Sequence, residues 1–314
     1  KGKHMKAVCP KCNSTNTRKH GTRFSNSLER NLQRHLCNDC GRRFSVPMGF
    51  SPIGAPKILL FDIETSPMEV FVWSLIGNKY IQPNNIIKDW NVISWAAKWL
   101  CDSTVTSDIQ TPEEAIARDD SRVLQGIWEL MDEADILIAQ NGDNFDIKKL
   151  NTRYILNKMG PPSPYQSIDT LKVSKRNFAM SSNKLDFLVQ KLTDRKGKLK
   201  TDFELWKSCL RGDPKALKYM EKYNKEDVFL LEDVYLEFRP WIKSHPNFGI
   251  YMDTDDQVCP TCGSDDIKAK GSYYITAANR YQSYNCNNCG AYSRSLAGAK
   301  NIEERRTLLR SVPR

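Results

Sequence analysis

Two kinds of residue able to do chemistry recur along this 314-residue chain: carboxylates set into short apolar segments, and cysteines in pairs. The first carboxylates are in Phe61-Asp62-Ile63-Glu64-Thr65, at the end of an apolar run that begins at Ile58. Four apolar residues followed by alternation predict a strand covered on both faces. Side chains two apart share a face, so Asp62 and Glu64 point the same way. Two carboxylates held together there are costly unless a cation balances them, although surface strands also carry this pattern. A second strand is predicted over Asp135–Ala139, running into Gln140-Asn141-Gly142-Asp143-Asn144-Phe145-Asp146. Asn-Gly marks a turn, and Phe145, Ile147, Leu150, Tyr154 and Ile155 then keep helical spacing. Asp146 is thereby placed near a helix start that follows a strand end, where α/β proteins bind ligands. The third segment, Tyr223-Asn224-Lys225-Glu226-Asp227, belongs to a helix predicted to be capped by Asp213, to open at Pro214 and to end at Pro240. Tyr223 and Asp227 share the face continued by Leu231, Val234 and Phe238, which is the face turned to the core. A carboxylate on that face needs a partner.

The cysteines follow a different logic. Cys9-x2-Cys12 and Cys37-x2-Cys40 are separated by 24 residues, and Cys259-x2-Cys262 and Cys286-x2-Cys289 by 23. Each pair aims two thiolates at one ion, so the spacing predicts two structural Zn²⁺ sites, each with four sulfur ligands. Disulfides are the alternative, disfavoured in a reducing compartment. The first module is rich in Arg, Lys, Asn and Ser, so the metal must supply much of its folding energy. Phe24 and Phe44 are its large apolar groups, either a small core or stacking surfaces. Cys259-Pro-Thr-Cys262 nearly repeats Cys9-Pro-Lys-Cys12, which points to an internal duplication. Cys101 and Cys209 have no evident partner in the sequence.

The elements that must position these groups are legible in outline. Val70–Trp73 and Val92–Trp99 read as strands forming an antiparallel meander with the Asp62 strand. Residues 112–132 read as the first helix, opened by Thr111-Pro112-Glu113-Glu114. The strand before Asn141, the Asp146 helix and a strand at Gln166–Asp169 follow. Asp169 is read as a helix N-cap and Asp143 as a turn residue, not as metal ligands. Residues 193–202 form a basic loop in which Arg195, Lys196, Lys198 and Lys200 either touch phosphates or are simply solvated. The fold class expected is α/β, with three antiparallel strands and then parallel strands, plus helices and two small zinc-binding modules. The divisions expected are 1–46 (first zinc module), 47–56 (a Pro- and Gly-rich linker), 57–248 (the α/β domain), 249–295 (second zinc module) and 296–314 (a basic tail).

In that order, D-x-E, N-x3-F-D and Y-x3-D resemble the three motifs of the DEDD-type 3′–5′ exonucleases of the ribonuclease H-like (DnaQ-like) superfamily. The tyrosine places the resemblance in the branch that includes the proofreading domains of family B DNA polymerases. It covers roughly residues 57–245 and implies a ribonuclease H-like mixed sheet. It also implies two Mg²⁺ or Mn²⁺ ions held by Asp62, Glu64, Asp146 and Asp227. Asp62 would bridge the ions, Glu64 and Asp227 would help hold the one that binds the nucleophile, and Asp146 would support the leaving-group ion. Tyr223 would orient the attacking water, and Asn141 would contact the terminal nucleotide. The cysteine modules resemble the zinc ribbons of transposases and transcription factors, whose role is nucleic-acid contact.

Charge agrees with a polyanionic partner. Residues 1–46 hold 11 Lys/Arg against 2 acids, whereas residues 47–248 hold 27 against 28 and residues 249–314 hold 9 against 7. A basic patch concentrated at one end signals nucleic acid more than a uniformly solvated surface. DNA is expected ahead of RNA as the substrate, in single strands or at ends. An exoribonuclease, a structure-specific endonuclease and a non-catalytic nucleic-acid-binding protein on the same scaffold stay open, as does docking of a protein partner through a ribbon. No apolar run reaches the ~18 residues of a membrane span and no signal peptide is visible, so the expectation is a cytoplasmic protein without a membrane partner.

Overall fold

The computed structural model describes residues 14, 16–25, 30–47, 55–74, 80–195, 197–252 and 256–309. The chain divides into Lys57–Phe238 and the flanking segments Lys1–Pro56 and Arg239–Arg314. In the first flank, β1 (Thr17–Ser25), β2 (Arg30–Cys37) and β3 (Arg43–Pro47) make an antiparallel sheet. Cys9 and Cys12 lie outside the described residues. Cys37 and Cys40 occupy the turn after β2, where the Gly41 N–H donates to the Cys37 carbonyl and the Cys37 N–H to that of Arg42. Gly41 has a φ of +68°, a left-handed conformation that glycine adopts at little cost.

In Lys57–Phe238 the chain runs β4 (Ile58–Thr65), β5 (Glu69–Val70), β6 (Ile86–Lys88), β7 (Val92–Trp99) and β8 (Thr106–Ile109). Next come α1 (Pro112–Ala117), α2 (Ser121–Glu133), β9 (Ile136–Ala139), α3 (Asp146–Leu156), β10 (Gln166–Asp169), α4 (Thr170–Asn177), α5 (Leu185–Leu192), α6 (Phe203–Leu210) and α7 (Pro214–Phe238). A five-stranded sheet has the order β10-β9-β4-β7-β8. Its β4, β7 and β8 are antiparallel neighbours, β9 pairs parallel with β4 and β10 parallel with β9, the mixed sheet that the sequence led us to expect.

The meander itself is corrected. Val70–Trp73 is not its second strand: Glu69–Val70 pairs with β6 in a separate two-stranded ribbon, and Phe71 and Trp73 are exposed. An apolar run that is not covered gives the same sequence signal as a core strand. The true third strand is β8, whose Thr-Ser-Asp-Ile is too polar to announce itself. The helix expected over 112–132 is two helices, broken at Arg118, which takes a left-handed φ of +59°. The capping box at Thr111 and Glu114 is present.

Alternation along β4 sorts its side chains. Leu59, Phe61 and Ile63 join Trp95, Val123, Ile127, Leu137, Leu150 and Tyr154 in one buried cluster. Gly126 lets α2 approach the sheet, since a Cβ there would meet the Trp95 ring at 2.7 Å. The other set, with Leu60, Asp62 and Glu64, shares its side of the sheet with α7. There Lys98 and Glu232 form a buried ion pair at 2.5 Å, and Glu232 also accepts from the Cys101 N–H. Such a pair costs desolvation of both charges and is retained only with good geometry.

The C-terminal flank contains α8 (Phe248–Tyr251), a sheet of β11 (Ile267–Ile275), β12 (Arg280–Cys286) and β13 (Tyr292–Arg294), and α9 (Ile302–Arg305). No helix among the described residues is long and apolar enough to cross a membrane.

Candidate metal centres

Strand β4 places Asp62 and Glu64 two residues apart on one face, and α7 delivers Asp227 to them. The three carboxylates each offer an oxygen, all within 4.8 Å of one another. Asn224, three residues before Asp227, holds Asp62 in place by donating from Nδ2 to Oδ2 at 2.7 Å, and Ser94 on β7 donates to Asn224 in turn. Asp146 enters from the start of α3, where its Oδ1 accepts from the Ile63 N–H at 3.2 Å. The turn that aims it is tight: Asn141 has a φ of +65°, and a Cβ at Gly142 would meet Ala139 Cβ at 2.5 Å.

Burial, and after it the crowding of like charges around Asp62 and Glu64, raises the carboxyl pKa values of this site. Burial pushes Glu64 up to about 8, with Asp227 as the next cause. Burial likewise raises Asp146 to about 7. Asp62 is held well above the usual range by burial and then by Asp146, Asp227 and Glu64. Asp227 is raised by burial, but less freely, because Lys198 opposes the shift. One Asp227 oxygen, Oδ1, is buried without a hydrogen-bond partner. Clustered hard oxygen donors and an unpaired buried oxygen fit a divalent cation such as Mg²⁺ or Mn²⁺.

Tyr223 lies one turn before Asp227, and burial raises its hydroxyl further above neutrality. Asp169 behaves as the N-cap expected, accepting from the Leu171 and Lys172 N–H groups and from that of Asn141. Asp143 pairs with Lys172.

The sequence distinguishes Lys198 only as one of four cations of a basic loop, touching phosphate or solvated; the structure turns it to the acids. From the basic loop it donates to Asp227 Oδ2 at 2.5 Å and approaches the Tyr223 hydroxyl at 3.4 Å. Its backbone N–H donates to Asp186 Oδ1 at 2.8 Å, next to Gly197 with a φ of +91°. Loop composition carried the lysine; only the fold shows that it turns inward while Arg195 pairs with Asp233 on the outside. The ammonium supplies part of the positive charge that the carboxylates require. It opens on a cleft of about 590 Å³ whose lining includes Asp62, Gln140, Lys175, Asn183, Lys184 and Lys198. Three lysines in one cleft beside an acid cluster suit a phosphate backbone better than a neutral ligand.

The second centre is built from Cys259, Cys262, Cys286 and Cys289, whose Sγ atoms all lie within 4.8 Å. Cys259–Cys289 and Cys262–Cys286 are each 3.7 Å apart. A disulfide spans only ~2.05 Å, whereas tetrahedral Zn²⁺ with Zn–S of about 2.3 Å has ligand edges of about 3.8 Å. The sulfurs therefore fit zinc. Both turns repeat the Cys37 geometry: Gly263 N–H donates to the Cys259 carbonyl and Gly290 N–H to the Cys286 carbonyl, with φ of +71° and +76°.

The family model that part of the sequence matches agrees with the fold. Residues 101–238 match the family model of the RNase_H superfamily, a span that includes Asp146, Tyr223 and Asp227 but begins after Asp62 and Glu64. Among solved structures the chain is similar to the family B DNA polymerase from the hyperthermophilic archaeon Pyrobaculum calidifontis, at 16% identity and a TM-score of 0.42. That match covers 72% of this chain and 30% of the polymerase, so the chain spans under a third of its length. No curated protein matches the sequence.

Proposed function

We propose that this chain is a divalent-metal-dependent 3′–5′ exonuclease that hydrolyses DNA at single-stranded ends. The observation that carries the reading is the convergence of Asp62, Glu64 and Asp227 within 4.8 Å, with an unpartnered buried oxygen on Asp227. Asp146 beside the cluster and Tyr223 one turn from Asp227 complete the set that the motifs imply. Two bound divalent cations would supply an activated water and charge neutralisation at the leaving oxygen. Asp62, Glu64, Asp146 and Asp227 would hold them. Tyr223, its hydroxyl protonated at neutral pH, acts as a hydrogen-bond donor that orients water against the scissile phosphate. Lys175, Lys184 and Lys198 draw the phosphate backbone into the cleft, and Asn141 meets the terminal nucleotide. The two cysteine modules hold structural Zn²⁺ and grip the strand outside the site.

Digestion of 5′- and 3′-labelled DNA and RNA oligonucleotides in Mg²⁺ tests this. A 5′-labelled DNA strand should shorten as a ladder, while a 3′ label should leave at once as a mononucleotide. Asp62→Asn or Asp227→Asn should slow the reaction on the order of a thousand-fold, and Tyr223→Phe by less. Cleavage of a circular single strand would make the enzyme an endonuclease, and faster shortening of RNA an exoribonuclease. No cleavage by a folded, metal-loaded protein would leave a binding protein.

A further inference from the structure

The C-terminal ribbon carries a surface that the cysteines do not explain. In an antiparallel sheet, directly opposed residues share a face. Tyr274 opposes Tyr281, Ser283 opposes Arg294, Lys268 opposes Asn285, and Asn285 opposes Tyr292. Alternation along β12 puts residues 281, 283 and 285 on one face, so Tyr274, Tyr281, Tyr292, Lys268 and Arg294 all lie there. Lys270 belongs with them, its ammonium 5.6 Å from the Tyr292 ring centroid. Cys286, next in the alternation, belongs to the other face and to the metal end.

Tyr274 and Tyr292 are 54% and 69% exposed, values far above those of tyrosines packed in a core. The Arg294 guanidinium lies 4.1 Å from the Tyr281 ring centroid and 5.5 Å from that of Tyr274. The planar cation thus covers the Tyr281 ring and reaches toward Tyr274, leaving Tyr274 and Tyr292 as the exposed rings of this face. β11, β12 and β13 contain no Asp or Glu, and no ion pair joins Lys268, Lys270 or Arg294 to a described acid. Exposed π-faces interleaved with unpaired cations complement a chain of unstacked bases and phosphates. A duplex, whose bases hide their faces, or an acidic protein surface, which offers no rings to stack, fits less well.

We infer that this face of the C-terminal ribbon is a binding platform for single-stranded DNA. Bases stack on the exposed rings of Tyr274 and Tyr292 and on the Arg294 guanidinium that covers Tyr281, and Lys268 and Lys270 take the phosphates. The choice of DNA rests on the exonuclease reading above; the stacking geometry does not. The platform would hold a stretch of the strand by its bases without reading their sequence, because every base has a π-face.

The test uses the full chain, a fluorescent oligo(dT), Ca²⁺ in place of Mg²⁺, and zinc content measured for each variant. Tyr274→Leu with Tyr292→Leu, which keeps apolar area but removes the rings, should weaken binding by about ten-fold or more. Tyr274→Phe with Tyr292→Phe should bind as the parent does, since stacking needs no hydroxyl. Lys268→Gln and Lys270→Gln should each flatten the log–log salt slope by about 0.7. A 5-iododeoxyuridine oligonucleotide should photocrosslink to Tyr274 or Tyr292, a result that does not depend on any variant folding. Parent-like affinity of the Leu pair together with crosslinks confined to residues 57–238 would overturn the inference and leave the face to a protein partner. Cleavage in Mg²⁺ is scored on the same oligonucleotide. Cleavage with no loss of binding in the Leu pair removes the platform alone; loss of binding without cleavage removes the exonuclease reading alone.

Discussion

The acid cluster and the C-terminal cysteine cluster are both sets of ligand atoms within 4.8 Å, yet they are built in opposite ways. The four cysteines come from two tight turns only 23 residues apart, in a module whose buried apolar residues are little more than Cys259, Cys286 and Ala291. The three carboxylates come from β4 and α7, more than 160 residues apart, inside a body with its own buried core. In the first case a bound ion would have to create the fold; in the second the fold brings the carboxylates together and bears their repulsion. Lys198 makes the asymmetry visible, because the acid cluster has drawn a cation from its own chain.

Removing zinc should produce the largest effect. Structural Zn²⁺ contributes roughly 10–16 kcal/mol in small cysteine-rich modules. Stripping it with a strong chelator, or replacing Cys262 by Ala, should therefore abolish the β11–β13 sheet, seen as protease cutting within residues 256–295. The melting transition of Lys57–Phe238 should survive. A sheet that resisted proteolysis without zinc would erase the contrast between the two centres.

Next in size is the pH dependence of the metal-free acid cluster. A carboxyl whose pKa is raised on folding binds more protons in the native state, so stability falls as pH rises between the unfolded and folded values. For Glu64 that window runs from about 4.5 to about 8, and Asp146, raised to about 7, acts within it. Denaturant unfolding in a chelator selective for divalent hard cations should show a loss on the order of a few kcal/mol across the window. Glu64→Gln should flatten the slope, and Mg²⁺ should restore stability most at its alkaline end. A flat profile in the parent would mean that the carboxylates are not crowded.

The smallest effect sharpens the same point. Lys198→Ala leaves Asp227 without its internal cation, so the metal-free protein should lose about 1–2 kcal/mol. Mg²⁺ should then bind several-fold more tightly by calorimetry, because the ammonium no longer competes for Asp227 Oδ2. Equal affinity in both proteins would place Lys198 outside the ion's coordination space.

What the sequence determined by itself was whatever depends on near neighbours. The Cys-x2-Cys-Gly turns, the shared face of Asp62 and Glu64, the Asp169 cap and the stacking of Tyr223 over Asp227 all follow from residues within five positions, where backbone geometry fixes the relation. The order of strands was readable because hydrophobic patterning records burial, and it misled where burial was absent, at Phe71 and Trp73, or where a strand was polar, at Thr106–Ile109. Only the tertiary structure decided that Lys198 reaches the acids, that Lys98 and Glu232 meet in the interior, and that Lys175 and Lys184 line the same cleft as Asp62. A charged side chain in a loop looks the same in sequence whether it faces water or a carboxylate. The difference lies in which distant segment the fold sets against it, and no local spacing records that.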